Sequence, residues 1–170
     1  MQTDVKSITE GLETAIRTET DGYHFYTMAA RSVTDIKGRQ VLEILAQEEL
    51  GHLRFLKSQY ESFLKNGKAD TSIQLEKRVD LSGDNPIFSG DIQMRIGQAH
   101  FEMSALSIGI HLEINSQRYY REQADKAGDP DVSGFFKELA DWESGHYQAL
   151  LRQQEALKEE YWARGGFSPY

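Results

Sequence analysis

Residues 49–52 read Glu-Leu-Gly-His and residues 143–146 read Glu-Ser-Gly-His, and this repeated motif is the part of the sequence that decides the fold. A lone glutamate precedes each motif by 30 residues, Glu19 in the first half and Glu113 in the second. Each member of the second set follows its counterpart by 94 residues. One Glu-x-x-His carries little information in an acidic chain, whereas a repeat at a fixed offset indicates a duplicated unit.

The duplication extends beyond these residues, because residues 8–64 align on residues 102–158 without a gap. Further matching pairs include apolar or small positions at helical spacing, a pair of aspartates suited to helix caps, and a pair of tyrosines: Leu12/Leu106, Ile16/Ile110, Tyr26/Tyr120, Ala30/Ala124, Asp35/Asp129, Leu45/Leu139, Ala46/Ala140, Gly51/Gly145 and Leu56/Leu150. This pattern predicts two copies of a helical hairpin.

The repeated acidic and histidine residues predict a metal site. Residues three apart on a helix share a face, so each hairpin offers a carboxylate from one helix and a carboxylate with an imidazole from the next. Two hairpins then supply four glutamates and two histidines, the ligand set of a carboxylate-bridged two-metal centre inside a four-helix bundle. The alternative is a solvated acidic helix face. The candidate metal-binding and catalytic residues are Glu19, Glu49, His52, Glu113, Glu143 and His146.

The position of each residue in the repeat suggests its role. Glu49 and Glu143, one from each Glu-x-x-His, are the natural bridging carboxylates, and Glu19 and Glu113 are then terminal ligands. Each histidine caps one metal through one ring nitrogen, and the other nitrogen needs an acceptor. Hard carboxylates with two imidazoles suit iron or manganese.

Composition narrows the choice of class and partner. A chain of 170 residues suits a single domain with a sizeable core. The net charge of −8 argues against binding to nucleic acid or to an anionic membrane surface. Without cysteine, the chain has no disulfide and no thiolate metal site. It shows no apolar leader and no membrane-length apolar run, so a cytoplasmic location is expected.

Helical periodicity and cap residues predict four helices. The first runs from a capping box at Ser7 to about Val33. The second runs from an Asp35 N-cap to a C-cap at Asn66-Gly67, and the third covers at least residues 102–127, with a start near Asp91 left open. The fourth begins at Asp129-Pro130 and reaches about Trp162.

These boundaries predict an all-α, antiparallel four-helix bundle formed by residues 1–162, followed by a tail at 163–170. Residues 68–100 form a connection that is unusually long for a compact domain, with a short extended piece expected at residues 73–81. Such a crossover is needed if the second helix has to cross the bundle to reach a parallel third helix.

Small residues recur near the predicted ligands. Gly51 and Gly145 directly precede the two histidines, and glycine inside a helix costs about 1 kcal/mol relative to alanine, which suggests a close helix approach. Gly22 and Ser116 lie three residues after the lone glutamates and would leave room near the metals for oxygen, peroxide or water.

Several other polar and aromatic residues are interpreted as lying outside the ligand set. Tyr26 and Tyr120 lie on the ligand side one turn further along, where core packing is favoured over hydrogen bonding or electron transfer. Trp142 and Trp162 are interpreted as packing residues. Acceptors for the outer histidine nitrogens are not evident, although Asp21 and Asp141 are candidates. The remaining histidines, His24, His100 and His111, are interpreted as surface residues, or at most as outer neighbours of the ligands.

The repeated ligands, with the aromatic pairs Phe25-Tyr26 and Tyr119-Tyr120, resemble those of the ferritin-like superfamily, and within it the rubrerythrin-type di-iron domain. The resemblance covers about residues 8–160, and bacterioferritins have a similar ligand set. Two departures matter. Full-length rubrerythrins carry a cysteine-rich rubredoxin module, which this chain lacks, and they place an extra glutamate where this chain has Ser116.

The resemblance implies a di-iron oxidoreductase that cycles between Fe2+ and Fe3+ and reduces hydrogen peroxide or dioxygen. Its electrons would come from an external donor, such as a separate rubredoxin-like protein. One alternative is a ferroxidase or iron-storage protein, and another is a bundle stapled by a redox-inert metal. Manganese or zinc could replace iron, and a homodimer is the expected assembly.

Overall fold

The computed structural model describes residues 5–76, 79, 81, 87, 90 and 100–165. The chain is all-α. Helix α1 spans Val5–Ser32, α2 spans Ile36–Asn66, α3 spans His100–Lys126 and α4 spans Pro130–Gly165. Each helix in these ranges is too polar, or too short in apolar sequence, to span a membrane.

Local chemistry sets several helix ends. The Asp35 carboxylate accepts a hydrogen bond from the Gly38 backbone N–H at 2.7 Å and so caps α2. Gly67 ends α2 in the left-handed region, with φ 67°, and its N–H donates to the Phe63 carbonyl. At the start of α4, the Asp129 carboxylate accepts from the Asp131 N–H at 2.9 Å. These predicted caps are confirmed.

Other predicted boundaries are shifted. Ser7 is the third residue of α1, so it is not the N-cap that the sequence suggested. Helix α4 continues three residues beyond Trp162, to Gly165. A start of the third helix near Asp91 falls on residues 91–99, which lie outside the described residues, as do residues 166–170 of the tail. In the expected extended piece, the described residues 73–76, 79 and 81 belong to no strand.

Two apolar clusters fill the bundle, one toward each end. The first combines the C-terminal halves of α1 and α4 with the N-terminal halves of α2 and α3, for example Ala30, Leu42 and Leu106. The second combines the opposite halves, including Leu12 and Phe136. Helix α1 therefore runs antiparallel to α2, α3 runs antiparallel to α4, and α2 runs parallel to α3. The chain between α2 and α3 joins opposite ends of the bundle.

The extensive contacts lie within the hairpins, where α1 packs along α2 and α3 along α4, whereas α1 and α3 touch over a shorter stretch. Between the two apolar clusters, at mid-length of the bundle, lies a layer of buried charge. Burying charged groups without partners is costly, and this layer contains the six predicted ligands.

Candidate metal centre

All six predicted ligands meet in the middle layer, and each is at most 3% exposed. One comes from each of α1 and α3, and two come from each of α2 and α4, as the repeat requires. The alternative of a solvated acidic face is therefore wrong for these side chains.

The six residues form two overlapping groups of four. The first contains Glu19 and His52, the second contains Glu113 and His146, and both contain Glu49 and Glu143. In each group, one nitrogen or oxygen atom per residue lies within 4.8 Å of all the others. Two positions that share two carboxylates have the geometry that the bridging assignment requires.

Both histidines direct Nδ1 into the centre. His52 Nδ1 lies 3.2 Å from Glu19 Oε2 and 3.1 Å from Glu143 Oε1. His146 Nδ1 lies 3.4 Å from Glu113 Oε2 and 3.5 Å from Glu49 Oε1. The two rings are nearly parallel, with centroids 6.0 Å apart. Nδ1 is therefore the nitrogen that each ring offers to a metal.

Four inward atoms have no hydrogen-bond partner among the described residues: Glu49 Oε1, Glu113 Oε2, Glu143 Oε1 and His146 Nδ1. Buried polar atoms in native proteins are nearly always satisfied, so four unsatisfied atoms facing one another need an explanation. Two cations held by Glu and His ligands would satisfy them, and the residues present fit a metal pair.

The shared carboxyls resist ionisation. Burial and the charges of Glu143 and Glu19 raise the pKa of Glu49 well above its usual range. Burial, together with the charges of Glu113 and Glu19, does the same to the pKa of Glu143. The raised pKa values favour the protonated forms of these two side chains in the metal-free protein, and cations would have to displace those protons.

The lone glutamates behave in the opposite way. Burial opposes the ionisation of Glu19, but its hydrogen bond with Glu49 and the charge of His52 outweigh burial and lower its pKa. The pKa of Glu113 is lowered in the same way, by His146 and Glu143. These two carboxylates stay ionised in the metal-free protein.

The histidines are the matching cations. Burial lowers the pKa of His52, but the charge and hydrogen bond of Glu19 reverse the effect and raise it. The pKa of His146 is raised well above its usual value, because Glu113, Glu143 and Glu48 together outweigh burial. These shifts favour a protonated network over four bare carboxylates in the metal-free centre.

Tyr26 and Tyr120 do more than fill the core. Both are buried, and the Tyr26 hydroxyl donates to Glu113 Oε1 while the Tyr120 hydroxyl donates to Glu19 Oε1. Each tyrosine therefore stabilises the ionised glutamate of the other hairpin. Burial and the neighbouring carboxylates raise the pKa of both phenols well above 10.0, so both remain donors.

The two ligand histidines have different neighbours outside the metal centre, and the sequence analysis did not predict these neighbours. Glu48 Oε2 accepts a hydrogen bond from His146 Nε2 at 2.6 Å, whereas Asp21 and Asp141 are exposed. His52 instead packs against the Trp142 indole, with ring centroids 4.8 Å apart and the two rings nearly perpendicular. The sequence did contain a signal for a role of Glu48. Glu48 directly precedes the ligand Glu49, and Trp142 occupies the equivalent position of the second hairpin.

The glycine interpretations are corrected by the contacts. A Cβ on Gly22 would lie 3.2 Å from Glu49 Oε2, so Gly22 makes room for a ligand carboxylate rather than for a small molecule. A Cβ on Gly51 would come no closer than 4.0 Å to the Glu76 side chain, so no close helix approach requires this glycine.

Two cavities reach the histidines from outside. One of about 560 Å³ is lined by Gly51, His52 and Trp142, and another of about 440 Å³ is lined by Gly145 and His146. The two glycines therefore border the openings beside the ligands.

The remaining residues named from the sequence are three histidines and two tryptophans. His24, His100 and His111 are exposed, as expected. Trp142 is buried against both ligand histidines. Trp162 is 48% exposed, so the expectation that it packs is wrong for this chain alone.

Fold and site together define a ferritin-like four-helix bundle with a buried carboxylate–histidine cluster able to hold metal. The sequence profile of the rubrerythrin family matches residues 10–154, and the chain belongs to that family. No curated protein and no solved structure matches the chain.

Proposed function

We propose that this protein is a non-haem di-iron oxidoreductase that reduces hydrogen peroxide or dioxygen with electrons from a separate donor. The observation that carries the proposal is the pair of overlapping ligand groups sharing Glu49 and Glu143, buried and short of hydrogen bonds. Membership of the rubrerythrin family supports iron as the metal. Manganese and zinc also bind carboxylate and imidazole ligands and are outcomes that metal analysis distinguishes.

Two bound ferrous ions would each supply one electron, so that hydrogen peroxide and two protons become two water molecules and an external reductant restores the electrons. The protein itself supplies the charge that balances the metal ions and controls the access of water and oxidant to them. Four ionised carboxylates neutralise two divalent cations, and the apolar clusters on either side exclude bulk water. The cavities beside His52 and His146 admit a molecule of oxidant size.

The tyrosines hold the terminal ligands in place. Their hydroxyls each donate to one oxygen of Glu113 or Glu19, which leaves the other oxygen free to bind metal. Because their pKa values are raised, neither phenol competes as an anion.

Two features narrow the chemistry. These 170 residues contain no cysteine that could ligate an electron-transferring metal, which supports a separate rubredoxin-like protein or a small reductant as the proposed electron donor. Ser116 occupies the position of the extra rubrerythrin glutamate, so the proposed ligand set consists of the six residues described above, and the test below compares the two oxidants. We propose a homodimer as the assembly, which a sizing column tests.

The test is anaerobic loading with Fe2+, followed by hydrogen peroxide or oxygen in separate stopped-flow experiments. We expect oxo-bridged diferric absorbance at two irons per chain, developing faster with peroxide. Oxidation that continues past two irons into a mineral would indicate storage instead, and stoichiometric zinc in the native protein with no reaction after iron loading would indicate a structural metal. His146→Ala should abolish the bands, and His111→Ala, at an exposed histidine, is the matched control.

A further inference from the structure

The two halves of the centre differ at one repeated position, where α2 has Glu48 and α4 has Trp142. Both side chains are buried, at 9% and 7% exposure. Each contacts the histidine on the opposite helix: Glu48 is hydrogen-bonded to Nε2 of His146, and the centroid of the Trp142 ring lies 4.8 Å from that of the His52 ring. The two inner ligand groups are therefore alike, whereas their outer supports are not.

Glu48 uses both carboxylate oxygens. Oε2 accepts from His146 Nε2 at 2.6 Å, and Oε1 accepts from the Val79 backbone N–H at 2.7 Å. The first bond fixes the ring orientation of His146, with Nδ1 facing inward, and would keep the remaining proton on Nε2 once a metal binds Nδ1. The second anchors the carboxylate to the crossover and prevents it from rotating away.

His52 has no such support. Its Nε2 is buried and has no hydrogen-bond partner within the described ranges. The Trp142 ring meets the imidazole edge to face, at an interplanar angle of 88°, and an indole offers a donor but no acceptor. Among the residues that the structure describes, no hydrogen bond to Nε2 orients the His52 ring.

We propose that Glu48 is a positioning residue that makes the two metal positions unequal, so that the position capped by His146 binds the first metal ion and the position capped by His52 binds the second, more weakly. This inference rests on the proposed metal-binding function and deepens it. A carboxylate hydrogen-bonded to a ligating histidine holds the ring in place and makes its inner nitrogen a better ligand, and removing such a partner typically weakens metal binding about 10–100-fold.

The experiment is an anaerobic titration with Co2+ alone, followed by visible absorbance and by calorimetry. The wild type should bind two ions in two resolved steps. Glu48→Gln should weaken the tighter step by about 10–100-fold and change the weaker step much less. Glu43→Gln is the matched control, because it removes the same charge from the same helix at an exposed side chain lining the neighbouring cavity.

The effect is localised with histidine variants whose folding is checked by circular dichroism. In a His52→Ala background, which keeps the His146 position, Glu48→Gln should retain its full effect. In a His146→Ala background it should have little effect. Equal weakening in both backgrounds, or none in either, would overturn the proposal.

A measurement on the intact ligand set provides a check if a histidine variant does not fold. In the Co2+-loaded wild type, the hyperfine-shifted N–H signal of His146 should exchange slowly with deuterium, because it is hydrogen-bonded to Glu48, and that of His52 should exchange fast. A wild type that binds no Co2+ would overturn the metal-binding function itself, whereas two ions bound with equal affinity would overturn only this inference.

Discussion

The hairpin α1–α2 and the hairpin α3–α4 agree at every inner ligand and differ in the layer around them. Lone glutamate, Glu-x-x-His and tyrosine all repeat, and their atoms meet in two matching ligand groups. The outer layer has Glu48 where the other hairpin has Trp142, and Ala15 where the other has Gly109. Binding a metal pair would require the same ligand residues in both hairpins. The residues that surround the ligands do not bind metal, so they can differ between the hairpins and make the two metal positions unequal.

The largest expected effect comes from the two shared carboxylates. Glu49→Gln and Glu143→Gln should each weaken binding of the metal pair more than 100-fold, beyond the roughly 10–100-fold effect typical of outer partners. Because both side chains hold protons in the metal-free protein, glutamine mimics that state, and metal-free stability should change little. Metal analysis and thermal unfolding measure the two effects, with the exposed Glu138→Gln as control.

The lone glutamates should give the opposite result for stability. Glu19 and Glu113 are ionised in the metal-free protein, so Glu19→Gln or Glu113→Gln removes a charge that pairs with a histidine and receives a tyrosine hydrogen bond. Each change should destabilise the metal-free protein by about 3 kcal/mol, as for breaking a buried ion pair. If the glutamine variants of the shared and of the lone glutamates were equally stable without metal, the proposed difference in protonation between the two kinds of glutamate would be wrong.

The protonated network predicts how metal-free stability depends on pH. The raised pKa values of the shared glutamates and of both histidines mean that their contributions are complete below the ordinary values of 4.5 and 6.5, and are lost as pH rises through the folded-state values. The lowered pKa values of Glu19 and Glu113 mean that their contributions are present above 4.5 and are lost as pH falls through the folded-state values.

The metal-free protein should therefore unfold at progressively lower temperature as pH rises above 6.5, and the Mn2+-loaded protein should not. Thermal unfolding with and without chelator measures this difference. Nuclear magnetic resonance titration sharpens the comparison, because His146 should keep its proton to higher pH than His52. A flat metal-free profile would contradict the protonated network.

Variants of the two tyrosines would test whether the terminal ligands Glu19 and Glu113 are equally stabilised in the two halves of the centre. Tyr26→Phe and Tyr120→Phe each remove one hydrogen bond to an ionised carboxylate, which is worth about 1.5–3 kcal/mol. Urea unfolding of the metal-free protein should show similar losses for both variants. A large difference would mean that the asymmetry at Glu48 and Trp142 reaches the terminal ligands as well.

The smallest effects are expected at Ala15 and Gly109. Ala15→Gly should cost about 1 kcal/mol through helix propensity. Gly109→Ala would gain a similar amount, but the new Cβ would lie 3.1 Å from Leu150 Cδ1 and 3.2 Å from the Tyr26 hydroxyl. These contacts should offset the gain and give a net change below about 1 kcal/mol in urea unfolding. A clear stabilisation by Gly109→Ala would show that Tyr26 does not need this space.

The repeat predicts the helices and the inner cluster because both depend on periodicity within a chain segment. Glu19, Glu49 and His52 fall on helix faces that spacing alone defines, and Asp35 and Gly67 cap α2 through contacts a few residues away. Glu48 could not be assigned in this way, because its two bonds run to α4 and to Val79 in the crossover. Such contacts depend on how the helices are rotated against one another, which periodicity does not specify.

The same distinction explains the errors. Ser7 has the composition of a cap, but α1 begins at Val5 and includes it. Gly51 suggested a close helix contact, but its open side faces a cavity. The residue type at a position is compatible with several structural roles. The atoms around it in the folded protein determine which of these roles it has.

The crossed tyrosine bonds have a consequence for the origin of the fold. Tyr26 donates a hydrogen bond to Glu113 of the second hairpin, and Tyr120 donates one to Glu19 of the first. One hairpin alone would therefore have a tyrosine hydroxyl without its acceptor and a glutamate without its donor. Two identical hairpins related by a twofold axis would satisfy both at once. The bundle thus has the internal geometry of a self-complementary pair, and a single ancestral hairpin could have formed the centre by dimerising before its gene was duplicated and fused.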